Sequence, residues 1–244
     1  MALDISPLVA AAVAVTSLAA AVIGGVSGMS TGVIAIPVLT FAFGIRLAIP
    51  IVTVAMLFNT LSRSVANWSD VDWRVARWYS YGAVPSAALG GVVFASAPAE
   101  LLARGLGIFL IGLVVYRRLP IAARTMPLRG FLFVGLGQGF FSAIFGGAGP
   151  FGAHFFLAYG LRRNAFVGTI AVGTVLVSIA KALVYGGFSL LDRDALLAGV
   201  AVGLIMAVGA WIGARLVRRM PERAFVFLVE GVMLASGALL LATA

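Results

Sequence analysis

The stretch that most constrains this chain is residues 131–161, FLFVGLGQGFFSAIFGGAGPFGAHFFLAYGL. It is apolar at both ends and interrupted in the middle by Gly146, Gly147, Gly149 and Pro150. Two complete bilayer crossings need about 40 residues, and residues 130–160 supply 31. The length predicts a re-entrant hairpin that dips into a membrane and returns, an arrangement tolerated where irregular backbone lines a cavity. A second copy of the pattern lies at residues 22–45, VIGGVSGMSTGVIAIPVLTFAFGI, interrupted at Ser27, Gly28, Ser30, Thr31 and Gly32. Both stretches read as broken helices that frame a small-solute site.

Composition places that site in a bilayer. The chain is 62% hydrophobic and 10% charged, against about 25% charged residues in a soluble domain. The formal charge of +9 raises nucleic acid as a partner. The arginines, however, sit in short loops between apolar runs, where they orient a membrane protein. The expected partners are therefore the lipid bilayer and a small solute, with no nucleic acid. Absence of cysteine excludes disulfides and thiolate metal sites. With His154 the one histidine, no side-chain metal centre is expected, and no cofactor. The opening residues MALDISPLV carry an acid and no base, which is unlike a signal peptide.

Along the chain, apolar spans are predicted over 7–25, 48–68, 78–97, 101–116, 165–185, 195–216 and 224–241, with a short run at 33–43. The order of landmarks repeats. Residues 27–32 parallel 142–147, and Phe43-Gly44-Ile45-Arg46 parallels Tyr159-Gly160-Leu161-Arg162. Thr53 parallels Thr169, Asp72 parallels Asp192, and Pro98-Ala99-Glu100 parallels Met220-Pro221-Glu222. This predicts a first transmembrane repeat over 1–119, a basic cytoplasmic linker over 120–129 and a second repeat over 130–244. Charge sets the orientation. Loops 117–129 and 215–223 carry four arginines each and belong in the cytoplasm. With a hairpin plus three crossings per half, 12 basic residues lie inside and three outside, with Arg63 and Lys181 within spans. An odd number of crossings inverts the second half relative to the first. The expected fold is thus an all-α integral membrane protein of two inverted-topology repeats, in the inner membrane, with both termini outside the cytoplasm.

Inverted repeats with broken helices place a solute near the midplane, where half-helix ends point at it. Unpaired N–H groups at a helix start favour an anion, and glycine lets the backbone approach a ligand. Ser27, Ser30, Thr31 and Ser142 add hydroxyl donors, and neither break holds an acid. The predicted guest is a small anion. The competing reading, that the glycines serve helix packing alone, loses ground because the breaks are matched. Arg63 and Lys181 either snorkel towards helix ends or line opposite vestibules that draw the anion in. His154 is read as a proton-coupling group or as a helix histidine bonded to a carbonyl. Asn59 and Gln138 are amides placed to bond a ligand or a broken backbone. Glu230 is read as the partner of a loop arginine. No Ser–His–Asp set, HExxH or phosphate-binding loop is present, so no enzyme is expected. Gly135-Leu-Gly-Gln-Gly139 imitates a nucleotide motif but lies in an apolar run.

SGMSTGVIAIPVL at 27–39 and FFSAIFGGAGPFGAHFFLAYGLRRNAFVGTIAV at 140–172 resemble the two signatures of the TauE/SafE sulfite exporter family. Ser30 and Thr31 stand where glycines are common in that family. The resemblance implies a permease for sulfite or for organic sulfonates such as sulfoacetate. It carries site roles most directly to residues 27–32 with Pro37 and to 146–150. The expectation is a secondary transporter working by alternating access, with a proton as the coupling ion weighed. An anion channel and a non-transporting membrane scaffold are the rival readings.

Overall fold

A backbone in hydrocarbon has no water to bond, so each segment must close its own hydrogen bonds, and helices do so internally. The computed structural model describes residues 7–27, 31–118, 126–161, 163–216 and 222–243, and their regular structure is helical throughout. In order the helices are α1 (Pro7–Ser27), α2 (Thr31–Phe43), α3 (Ile45–Ala66), α4 (Trp73–Ser96), α5 (Ala99–Arg118), α6 (Phe131–Phe145), α7 (Gly149–Ala158), α8 (Arg163–Gly187), α9 (Arg193–Leu216) and α10 (Glu222–Thr243). Among the described residues, five stretches are long and apolar enough to cross a bilayer: Ile45–Ala66, Ala99–Tyr116, Leu128–Phe145, Asn164–Gly187 and Arg193–Ile212. The chain is an all-α, multi-pass membrane protein.

The glycine-rich interruption at 146–149 is a true break. Gly146 ends α6 in the left-handed region at φ 78°, a conformation glycine adopts without the Cβ penalty. Pro150 sits in the first turn of α7, where its missing N–H costs nothing. At 15 residues α6 alone rises about 22 Å, and the turn at Leu128–Gly130 before it extends the apolar stretch to 18 residues. The α7 arm lies back along α6. Gly152 abuts Gln138, and the Phe131 ring stands 4.8 Å from Phe156 and 5.3 Å from Tyr159. In the N-terminal copy α1 and α2 likewise pack on each other; residues 28–30 between them lie outside the described residues.

Paired landmarks do paired jobs. Gly44 after α2 and Gly160 after α7 both have positive φ, 74° and 93°. Asp72 caps α4, its Oδ1 accepting from the N–H groups of Arg74 at 3.0 Å and Val75 at 3.1 Å. Asp192 caps α9 by accepting from Ala195 N–H at 2.8 Å. The capping carboxylate starts α4 at Trp73, inside the stretch expected to be loop, because it satisfies donors that a helix start leaves open.

Packing does not follow the two halves of the chain. Helix α4 packs on α6 and α8, whereas α9 packs on α1 and α3. Helix α3 meets α8, and α5 pairs with α10. One apolar core gathers residues of α4, α6, α7 and α8, and a larger one centres on α1, α2, α3, α5 and α9. The α4–α6 seam is built from small residues that bring backbones together. A Cβ on Gly82 would lie 2.0 Å from the Leu132 carbonyl oxygen, one on Gly135 2.1 Å from that of Tyr79, and one on Gly139 2.2 Å from that of Ala83. The nucleotide-like glycines at 135–139 are thus packing residues.

Candidate anion site

The beginning of α2 meets the break after α6. A Cβ on Gly32 would stand 3.7 Å from Gly147 Cα and 3.8 Å from the Gly146 carbonyl oxygen, so the backbones are in contact. Beside this junction lies a cavity of about 40 Å³, space for roughly three water-sized groups. Its wall holds the first residues of two helices, Thr31 and Gly32 of α2 and Gly149 of α7, together with Gly146, Gly147 and Ala148. Ala148 is the N-cap residue of α7; a helix start leaves backbone donors without intrahelical partners, and the helix dipole adds a partial positive charge there.

Two cations face the same space. Lys181 of α8 is 1% exposed and Arg63 of α3 is 8% exposed, and both line the cavity. Both are buried against this one cavity. The Lys181 ammonium donates to the Ser142 carbonyl and to Ser142 Oγ, each at 3.3 Å. One turn on, the Tyr185 hydroxyl donates to the Ala143 carbonyl. These carbonyls belong to the last turn of α6, which the break leaves without intrahelical partners. Lys181 therefore sits at the negative end of one helix while facing the positive start of another. Among the described residues, no carboxylate lines the cavity. Its remaining polar wall is neutral: Thr60, Tyr79, Gln138, Thr174 and Ser178. Thr31 Oγ1 and Ser178 Oγ are buried without a hydrogen-bond partner.

Of the residues singled out from sequence, the structure brings Thr31, Gly32, Arg63, Gln138, Ser142, Gly146, Gly147, Gly149 and Lys181 to this cavity. Pro150 is buried one residue behind its wall. Asn59 is buried elsewhere, its Nδ2 donating to the Met206 carbonyl of α9 at 3.3 Å. His154 lies on the exposed side of α7, edge-on to Tyr116 at 5.8 Å, and does not line the cavity. Gly28 and Ser30 lie outside the described residues, as does the side chain of Ser27. Thr60, Thr174 and Ser178 were not anticipated. Their signal was available: Met56, Thr60 and Arg63 share one face of α3, and Thr174, Ser178 and Lys181 share one face of α8, each at helical spacing.

Apolar spans around a buried, polar, cationic hollow define the class: an integral membrane permease. The chain belongs to the sulfite exporter TauE/SafE family, whose model matches residues 13–240. It is accordingly a membrane transport protein and not an enzyme. No curated protein and no solved structure matches it.

Proposed function

We propose that this protein is a secondary transporter that moves a small sulfur oxyanion, sulfite or a short sulfonate such as sulfoacetate, across the inner membrane by alternating access. The observation that carries this reading is the meeting of α2 with the break after α6, where Lys181, Arg63 and the start of α7 line one cavity with no carboxylate among its described lining residues. Every charged group in that wall is complementary to an anion. The fold reading is two inverted repeats over 1–119 and 130–244, each a broken hairpin plus three crossings, joined by a basic cytoplasmic linker. Contact of Phe131 with Phe156 and Tyr159 supports an α6–α7 hairpin that returns to the side it left. That count of crossings, with the arginine-rich loops in the cytoplasm, puts both termini outside. The exchanged packing of α4 and α9 favours relative movement of the two packed groups, α4–α6–α7–α8 against α1–α2–α3–α9, over movement of the chain halves. The outlying position of His154 argues against it as the carrier of a coupling proton.

Uptake of sulfite and a panel of sulfonates into proteoliposomes tests the reading. Saturable uptake with counterflow supports a carrier. Fast, non-saturating flux without counterflow would mark a channel, and no flux of any anion would leave a scaffold.

A further inference from the structure

We infer that Thr31 and Ser178 determine specificity by hydrogen bonding, their hydroxyls selecting a head group of three oxygens over one of two at equal charge. The inference rests on the transport reading above and deepens it. Thr31 and Ser178 are each 1% exposed, and both line the cavity. Among the described residues neither hydroxyl has a hydrogen-bond partner. Other hydroxyls of the same wall behave differently. Thr60 Oγ1 donates to the Met56 carbonyl at 2.7 Å and Thr174 Oγ1 to the Ile170 carbonyl at 2.8 Å, each four residues back along its own helix. Ser178 stands one turn beyond Thr174 on α8 and makes no such return. Thr31 is the first residue of α2, with no preceding turn of that helix to bond.

A buried hydroxyl without a partner is costly, so both call for an acceptor inside the cavity. Gln138 Oε1 is also without a partner, but it is itself an acceptor. It rests against Gly152, where a Cβ would stand 2.0 Å from it, and does not join the donors. The donor set spans three helices: Thr31 on α2, Ser178 on α8, and the start of α7, where a helix leaves backbone donors open. A cavity of about 40 Å³ brings a guest within reach of all three. Groups carried by three helices approach one central atom from separate directions, so each needs an oxygen of its own. A guest with one oxygen fewer leaves a buried hydroxyl unpaired. A site built to bond a substrate group rejects the analogue that lacks it for that reason.

Methanesulfonate and methanesulfinate provide the test, because both are methyl-bearing monoanions and they differ by a single oxygen. Each competes against labelled sulfite uptake by the intact protein in proteoliposomes. Methanesulfonate is expected to compete at roughly 10-fold lower concentration, the scale of one hydroxyl left unpaired. In Thr31→Val and in Ser178→Ala that ratio should narrow to within about 2-fold, and half-saturating sulfite should rise by roughly 10-fold. Thr31→Ser should keep the wild-type values. Since neither hydroxyl bonds to the protein, both variants should melt in detergent at the wild-type temperature, which a structural hydroxyl would not allow. Equal potency of the two competitors in the wild type, an unchanged ratio in either variant, or loss of folded protein in either overturns the inference. If neither methyl compound competes, half-saturating sulfite decides: a rise in both variants supports the inference, and no rise in either overturns it. Absence of sulfite uptake by the wild type would instead remove the transport reading itself.

Discussion

Lys181 and Ser142 are joined twice, the ammonium reaching both the carbonyl and the hydroxyl oxygen at 3.3 Å. This contact ties the last third of α8 to the end of α6 beside it. It gives the buried lysine a structural hold on the break as well as a place in the cavity wall. The two contributions separate experimentally. Lys181→Ala and Arg63→Ala are expected to lower sulfite uptake by roughly 100-fold. The lost hydrogen bonds should cost about 1 kcal/mol of stability. Proteoliposome flux and a detergent melting curve measured on the same preparation check both numbers. Unaltered uptake by both variants at normal yield would leave these cations without a transport role.

The end of α6 offers a backbone test. Gly146 combines φ 78° with a Cβ direction that would meet Ile36 Cδ1 and Ile49 Cδ1 at 2.9 Å each. Gly146→Ala should therefore destabilise by about 2 kcal/mol, from left-handed backbone strain and crowding together. Adding Ile49→Val should recover part of the crowding term and none of the strain. Thermal unfolding of the single and double variants measures the split.

The α4–α6 seam should tolerate no side chain at all. Gly135→Ala and Gly139→Ala each place a Cβ little more than 2 Å from a carbonyl oxygen of α4, so the helices must part. Loss of most monodisperse protein in fluorescence-detected size exclusion is expected. Gly112→Ala is the control. Its Cβ meets nothing within 4 Å, and alanine is the better helix former by up to about 1 kcal/mol. Normal yield of both seam variants would contradict the contact geometry.

His154 distinguishes the two readings of the lone imidazole. It stands outside the cavity, against Tyr116. His154→Gln should keep sulfite uptake within about 2-fold, with the pH profile of flux unmoved. A flattened profile would return the coupling proton to this residue.

Much of this arrangement could be read before any coordinates. The matched glycines at 44 and 160 and the matched carboxylates Asp72 and Asp192 stand out in the sequence because turns and helix caps demand particular residue types. The breaks themselves announce their positions through glycine, proline and hydroxyls in otherwise apolar runs. Rotation of each helix about its axis is harder to read. Lipid and protein interior are both apolar, so hydropathy does not tell which face of α7 looks inward. Hydropathy therefore does not separate His154, on the exposed side of α7, from Thr60, Thr174 and Ser178, which line the cavity. Partner choice was equally hidden. Gly135 and Gly139 advertise a close neighbour without saying that it is α4.

That partnership bears on how such a chain can be made. The glycine face of α4 finds its mate in α6, and α9 finds its own in α1 and α3, so each half of the polypeptide is left with an uncovered helix when alone. Translated as two separate pieces cut between α5 and α6, the halves would be obliged to entwine before either became native.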